Sequence, residues 1–434
     1  MKKIFITILF VCFGLPGVFA QSETTSFDVD GIKVIFKPTL KEIINVRMFY
    51  RGGVTNYPAD KAGIERFALE ATTECGTKKY DANMFRDKAD KFGIDISTST
   101  DFDYGNIEMD CVSKYFNEGW DLLTEAVVNP VFDNAEVELF RGKMLARIRQ
   151  QQTDPDDHVE DLVVKNGFEG TPYATDPAGE DAIVSKLTPA ELKTYYNSIL
   201  NKKQLFLVVA GKINKEELIA KIKASFAALP SKNYTPAKLQ EPVWNDYRLV
   251  TESRNLSTNY INAIMNSPTV SSKDYVPYTV GIAALGGSLF NLLRTRLNLS
   301  YDPGASSLMR QMPYSIMYVS TTNPKEAVKA MTRVLNNVLN YGLSAEGLKN
   351  IKSSYITNNY VKQQSTSAIT LSLGKAEVLG GWEIAENMPS AIDKVTVSQI
   401  NAALNKYIRG LRWSYLGDTQ QADAAAGEFK KIIH

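Results

Sequence analysis

The sequence predicts an α+β chain of two tandem, homologous domains, each an antiparallel sheet with helices packed on one face. The first observation is a long-period repeat. Ala182-Ile183, Leu187-Thr188-Pro189, a helix-like run through Tyr195-Tyr196 and the apolar strand Leu205 to Gly211 return about 208 residues later as Ala391-Ile392, Val395-Thr396, Ile400 to Tyr407 and Trp413 to Asp418. The second is a shared order of elements. In the first half the alternating strand Asn106 to Cys111 precedes helices from Phe116 to Val128 and from Ala135 to about Gln151. In the second, the strand Ser315 to Ser320 precedes helices from Lys325 to Leu339 and from Glu346 to about Gln363. A polar stretch punctuated by Pro230, Pro236 and Pro242 separates the halves and reads as a linker. The expected boundaries are therefore 21–229 for the first domain, 230–245 for the linker and 246–434 for the second.

The chain opens Met-Lys-Lys, runs apolar from Ile4 to Phe13, breaks at Pro16-Gly17 and reaches Val18-Phe19-Ala20, the pattern of an export signal (1–20) cleaved after about Ala20. This predicts an exported, periplasmic protein. The apolar run is too short to span a bilayer, and the rest of the sequence suggests no membrane span of roughly 20 apolar residues. Forty-nine Lys and Arg against 48 Asp and Glu leave a net charge of +1, too small a field to attract nucleic acid or an anionic membrane. Beyond the signal only Cys75 and Cys111 remain, so disulfides do not hold the fold together, and two buried thiols are the commoner arrangement.

Residues Gly63 to Thr77 have the frame of a metal-binding helix without its ligands. An inverted zinc motif, His-x-x-Glu-His, places two imidazoles one helical turn apart with a carboxylate between them as base. Here those five positions are Arg66, Phe67, Ala68, Leu69 and Glu70. The only histidines, His158 and His434, lie far apart in no ligand spacing. A shifted register would bring in Glu65 or Glu74, and carboxylates without histidine make a poor zinc site. Arg66 and Glu70 stand at i and i+4 on one helix face. Arg147 lies seven residues from Phe140, about 20° around its helix, and is expected in the buried stripe of Val137, Phe140, Met144 and Ile148, paired with Glu70.

Arg51-Gly52-Gly53 after a strand, Tyr57-Pro58, Gly63, Gly76-Thr77 and the turn Thr153-Asp154-Pro155-Asp156-Asp157 together resemble the pitrilysin/insulinase family of metallopeptidases. The resemblance implies that a third ligand, a Glu in many members, falls 77 residues after the second His of the motif; that position is Arg147. Arg66, Leu69, Glu70 and Arg147 thus replace both histidines, the base and the third ligand, and no metal is expected on this chain. The second half resembles the family in another way. Ala284 to Tyr301 looks like its Leu-Gly-Gly, Leu-Phe-x-x-Leu-Arg and Tyr segment, with Arg294 and Tyr301 at the two positions that in active relatives hold the substrate backbone. A fixed cation and a phenol suit a carbonyl that gains negative charge.

The resemblance therefore implies a non-catalytic, substrate-positioning subunit of a heterodimeric zinc peptidase. Its partner would be a homologous subunit with an intact His-x-x-Glu-His motif that carries the zinc, and its ligand an extended peptide added to a sheet edge such as Ile94 to Thr100. The alternative is a proteolytically inactive peptide-binding or structural scaffold of the same fold, like the family's respiratory-complex core subunits. An unrelated catalytic site has no support, since no Gly-x-Ser-x-Gly, paired-Cys metal site or phosphate loop is present.

Overall fold

A computed structural model describes residues 23–431. The export signal and His434 lie outside the described residues. Two sheets organise the chain. The first contains β1 (Thr25–Val29), β2 (Ile32–Pro38), β3 (Ile43–Arg51), β4 (Asp95–Thr100), β5 (Tyr104–Val112) and β6 (Leu205–Gly211), in the order β1-β2-β6-β3-β5-β4. The second contains β7 (Tyr247–Ser253), β8 (Asn259–Asn266), β9 (Gly304–Leu308), β10 (Tyr314–Thr321) and β11 (Leu411–Gly417), in the order β7-β11-β8-β10-β9. Most pairings are antiparallel, as expected, but β2 pairs with β6, and β7 with β11, in parallel, so each sheet is mixed. Those strands are joined through whole layers of helix, the long crossover that parallel neighbours require.

The helices Ile64–Glu74, Phe116–Val128 and Asn134–Thr153 cover one face of the first sheet, burying Phe67, Leu69, Trp120, Leu123, Phe140 and Met144. The other face is covered from the second half. Helix Thr366–Leu379 sets Ile369 and Leu373 against Ile35, Phe49, Tyr104 and Phe206. The exchange is reciprocal: helix Pro155–Gly167 of the first half lies across β8 and β11 of the second. Each covering helix has a glycine at the closest approach. A Cβ on Gly167 would come within 2.4 Å of Ile264, and one on Gly374 within 2.1 Å of Phe49. Because each half seals the other's sheet, the expectation of helices on one face only is completed by a helix borrowed from across the repeat.

Polar groups fix these crossings. Asn166 donates to the Trp413 carbonyl at 3.0 Å and Ser414 to the Val159 carbonyl at 2.8 Å, both buried. Residues 230–246 form neither helix nor strand, yet Trp244 within them is buried and donates to the Gly167 carbonyl at 3.1 Å. Cys75 and Cys111 are free and buried, and burial pushes both thiols up to about 12. One stretch is more apolar than the sequence reading allowed. Tyr275 to Arg296 is 22 residues long and contains an 18-residue window with a mean hydropathy of 1.4, enough by length and composition to cross a membrane. Half of that window is buried, with Tyr278, Ile282, Leu285, Leu289 and Leu293 in the core of the second half.

Candidate functional site

The helix Ile64–Glu74 begins at Gly63, whose φ of 84° is left-handed and whose Cβ, if present, would stand 2.7 Å from the Cα of Gly179. That tight start fixes the helix's rotation. Phe67, Ala68, Leu69 and Ala71 then point into the core, while Arg66 and Glu70 face a cavity of about 540 Å³. Leu69, at the position of the base, is fully buried and lies against Gly105, away from the cavity. The second wall is helix Asn134–Thr153, started by Asp133, whose carboxylate accepts from the amides of Ala135 and Glu136. It delivers Arg147.

Three of the four replacement residues therefore meet. Glu70 accepts from Arg66 Nε at 3.0 Å and from Arg147 Nη2 at 2.5 Å, one carboxylate bridging two guanidinium groups. Among the described residues no group of three or more His, Cys, Asp or Glu is placed to hold a metal ion. His158 lines the cavity, with its Nε2 2.9 Å from Glu252. The open edge strand β4 contributes Thr98 to Thr100, and Arg310 and Tyr314 enter from the second half, so the cavity sits at the junction of the two.

Arg147 does not share the buried stripe. Its side chain is 46% exposed, and the buried arginine of this helix is Arg141, which donates to the carbonyls of Val184 and Leu187 at 2.6 Å each. The reason is the small drift per seven residues together with a long stem. Arg147 lays its guanidinium 5.5 Å from the centre of the Phe140 ring and keeps one edge in water. This exposure limits what the bridge contributes. Glu70→Gln should destabilise the chain by about 1–2 kcal/mol, between the values for exposed and buried pairs. An unchanged melting temperature would show that water already solvates both arginines.

Sequence reasoning named Glu65 only as a shifted-register ligand and missed how strongly its carboxyl is perturbed. Glu65, in the first turn of the same helix, is 1% exposed; Tyr195 and Asn56 donate to its Oε2, the latter at 3.1 Å, while Oε1 has no partner and abuts Gly105. Burial pushes it up to about 7. Only its position among Ile64, Phe67 and Ala68 could have signalled this. With the folded-state pKa raised above the usual carboxylate range, the folded form favours the proton, and stability is lost as pH rises from about 4.5 through about 7. Melting curves at pH 5 and pH 8.5 should differ less for Glu65→Gln than for the native chain, and equal differences would exclude Glu65 as the source.

In the second half the helix Tyr275–Leu289 runs on into a wider turn at Phe290–Arg296, a π-helical stretch of a kind frequent at functional sites. It places Arg294 against Tyr301. The guanidinium carbon lies 3.8 Å from the Tyr301 ring centre, and Nη1 donates to the Tyr301 carbonyl. The centre of the Phe290 ring lies 5.8 Å from the same carbon. Tyr301 is 79% exposed. The structure brings this pair together, and neither side chain lines the cavity around Glu70.

The family model described as insulinase, peptidase family M16, matches residues 37–180, and that of the peptidase M16 inactive domain matches residues 186–355. The chain belongs to peptidase family M16. The division between the models falls before β6, although β6 is an inner strand of the first sheet. This M16 protein is similar to a non-peptidase homolog, YmxG, of Helicobacter pylori, at 19% identity over 92% of this chain and 94% of that one. It is also similar to the mitochondrial-processing peptidase subunit beta of Dictyostelium discoideum, at 20% identity over 50% of this chain and 46% of that one. A solved structure described as a protease from Helicobacter pylori superposes with a TM-score of 0.85 at 17% identity, over 92% of this chain and all of that one, a likeness of fold.

Proposed function

We propose that this M16 chain is the non-catalytic, substrate-positioning subunit of an exported two-chain zinc peptidase. A homologous partner with an intact His-x-x-Glu-His motif supplies the zinc, and Arg294 and Tyr301 reach its site. One contrast carries the reading. Where ligands would stand, Glu70 bridges Arg66 and Arg147, whereas the Arg294–Tyr301 pair is assembled and presents its phenol to solvent. Arg294 spends one donor on the Tyr301 carbonyl and has others for a peptide carbonyl. The peptide lies extended, and the outer edge of β4, unpaired among the described residues, is one place for it to add a strand.

The relatives support the two parts of the reading separately: one is named a non-peptidase homolog, and another a subunit of a processing peptidase. The test is purification of the native complex from the source cells. A homologous chain bearing His-x-x-Glu-His should copurify in equal amount. Its absence from an intact complex would turn the reading to a scaffold.

A further inference from the structure

We propose that a second cavity, lined in part by the turn that carries Arg294, is a subsite for a carboxylate of the bound peptide, with Arg296 as its anchor. The proposal rests on the reading that this half receives a peptide, and it adds a class of ligand, acidic peptides. The cavity has a volume of about 560 Å³ and lies between the helices Tyr275–Leu289 and Ala345–Lys362. Ala284, Gly287, Ser288, Asn291, Arg296 and Asn350 are among its lining residues. Arg296 is the only charged residue in the lining. Its side chain forms no hydrogen bond or ion pair with any described residue, and neither do the side-chain amides of Asn291 and Asn350; all three residues are exposed, with their polar groups free to meet a ligand. The Ser288 hydroxyl donates to the Ala284 carbonyl at 2.9 Å.

The charge of the lining is therefore one-sided. A guanidinium has five N–H donors and no acceptor, the amides offer donors as well as acceptors, and no Asp or Glu lines the cavity to neutralise Arg296. An ionised carboxylate is acceptor-only and meets a guanidinium through two parallel bonds. A cation would be repelled by Arg296, and an apolar side chain would leave its hydrogen-bond donors unpaired.

The floor gives an independent reason to regard this space as kept open. Gly286 and Gly287 are adjacent in the helix. A Cβ on Gly286 would stand 2.7 Å from the Ala305 carbonyl oxygen, so packing against β9 requires glycine there. A Cβ on Gly287 would meet nothing within 4 Å, and its φ is not in the left-handed region. Glycine inside a helix costs about 1 kcal/mol relative to alanine. Neither packing nor backbone conformation explains Gly287, whereas a floor left bare for a ligand does.

Arg294 and Arg296 sit two residues apart and serve different surfaces: Arg294 stacks on Tyr301, and Arg296 lines the cavity. A peptide held at the first can place a carboxylate in the second. The source is either an Asp or Glu side chain or a free C-terminus.

The probe is the fluorescein-labelled peptide Gly-Ser-Leu-Asp-Leu-Ser-Gly, titrated with the full mature chain and read by anisotropy. An Asp→Asn version and a C-terminally amidated version separate the two sources. Arg296→Gln should weaken binding of the acidic peptide at least about tenfold, the usual worth of a charged hydrogen bond. Gly287→Phe, compatible with a helix and aimed into the open space, should abolish binding while leaving the circular dichroism spectrum unchanged. Lys349→Gln, a charge loss outside the cavity, should leave affinity as it is. Equal binding by both cavity variants, equal binding of a peptide lacking both carboxylates, or no binding by the native chain would each overturn the proposal. Arg294→Ala separates this from the reading beneath it. If that variant loses turnover with the partner while Arg296→Gln binds peptide normally, the positioning role stands and the subsite does not.

Discussion

Replacing Arg294 with Ala, or Tyr301 with Phe, should slow cleavage by the reconstituted two-chain peptidase by roughly 10²–10³-fold, the usual loss when one pre-organised donor to a developing oxyanion is removed. The size follows from how the pair is held. The Arg294 guanidinium is fixed over the Tyr301 ring at 3.8 Å and tied to the Tyr301 carbonyl, so little ordering is left to be done when substrate arrives. Tyr301→Phe keeps the stacking surface and removes only the hydroxyl, so it isolates the donor from the platform. Both variants should melt as the native chain does, because Tyr301 is 79% exposed and the core beneath belongs to Leu289 and Leu293. Full activity of the pair with both residues replaced would mean that the subunit only scaffolds.

The second large effect concerns the fold. Arg47 is 3% exposed on the face of the first sheet that helix Thr366–Leu379 covers, where it forms an ion pair with Glu108 and donates to Asn106 at 2.9 Å and to Ser367 of the second half at 3.1 Å. Asn45 beside it donates to Glu108 at 2.6 Å and to Asp110 at 2.8 Å, and burial together with the neighbouring Glu108 holds Asp110 above the usual carboxylate range. Arg47→Met removes the only cation paired with these carboxylates among the described residues, leaving Glu108 uncompensated at the seam between the halves. The expected cost is about 3–5 kcal/mol. It should appear as a lower melting temperature and faster proteolysis near Ser365, where helix Thr366–Leu379 begins. Adding Glu108→Gln should recover part of the loss, since the charge left unpaired is then gone. A melting temperature unmoved by Arg47→Met would mean that water reaches the seam.

Much of the architecture was legible because periodicity and repetition are local signals. The strand Leu205 to Gly211 and the helix Phe116 to Val128 have the limits read from the sequence, and the strand Asn106 to Cys111 lengthens only to Tyr104–Val112. What stayed hidden is non-local. Nothing in the pattern of β2 says that its neighbour is β6, so the parallel pairings could not be read, nor could the exchange of helices Pro155–Gly167 and Thr366–Leu379 between the sheets. The glycines at those crossings, Gly167 and Gly374, become meaningful only once the opposing Ile264 and Phe49 are known. At the site the residue types pointed to the Arg66–Glu70–Arg147 contact, whereas the depth of each arginine depended on the path of its stem: Arg141 went in and Arg147 stayed half out.

The central claim is that this chain positions substrate for a metal it does not itself hold. The most direct measurement is zinc content and peptidase activity of the mature chain alone, of the partner alone and of the two recombined. The account predicts no stoichiometric zinc and no cleavage for this chain, zinc on the partner, and full activity only on mixing. About one tightly held zinc per copy of this chain, or cleavage by it in the absence of the partner, would contradict the account.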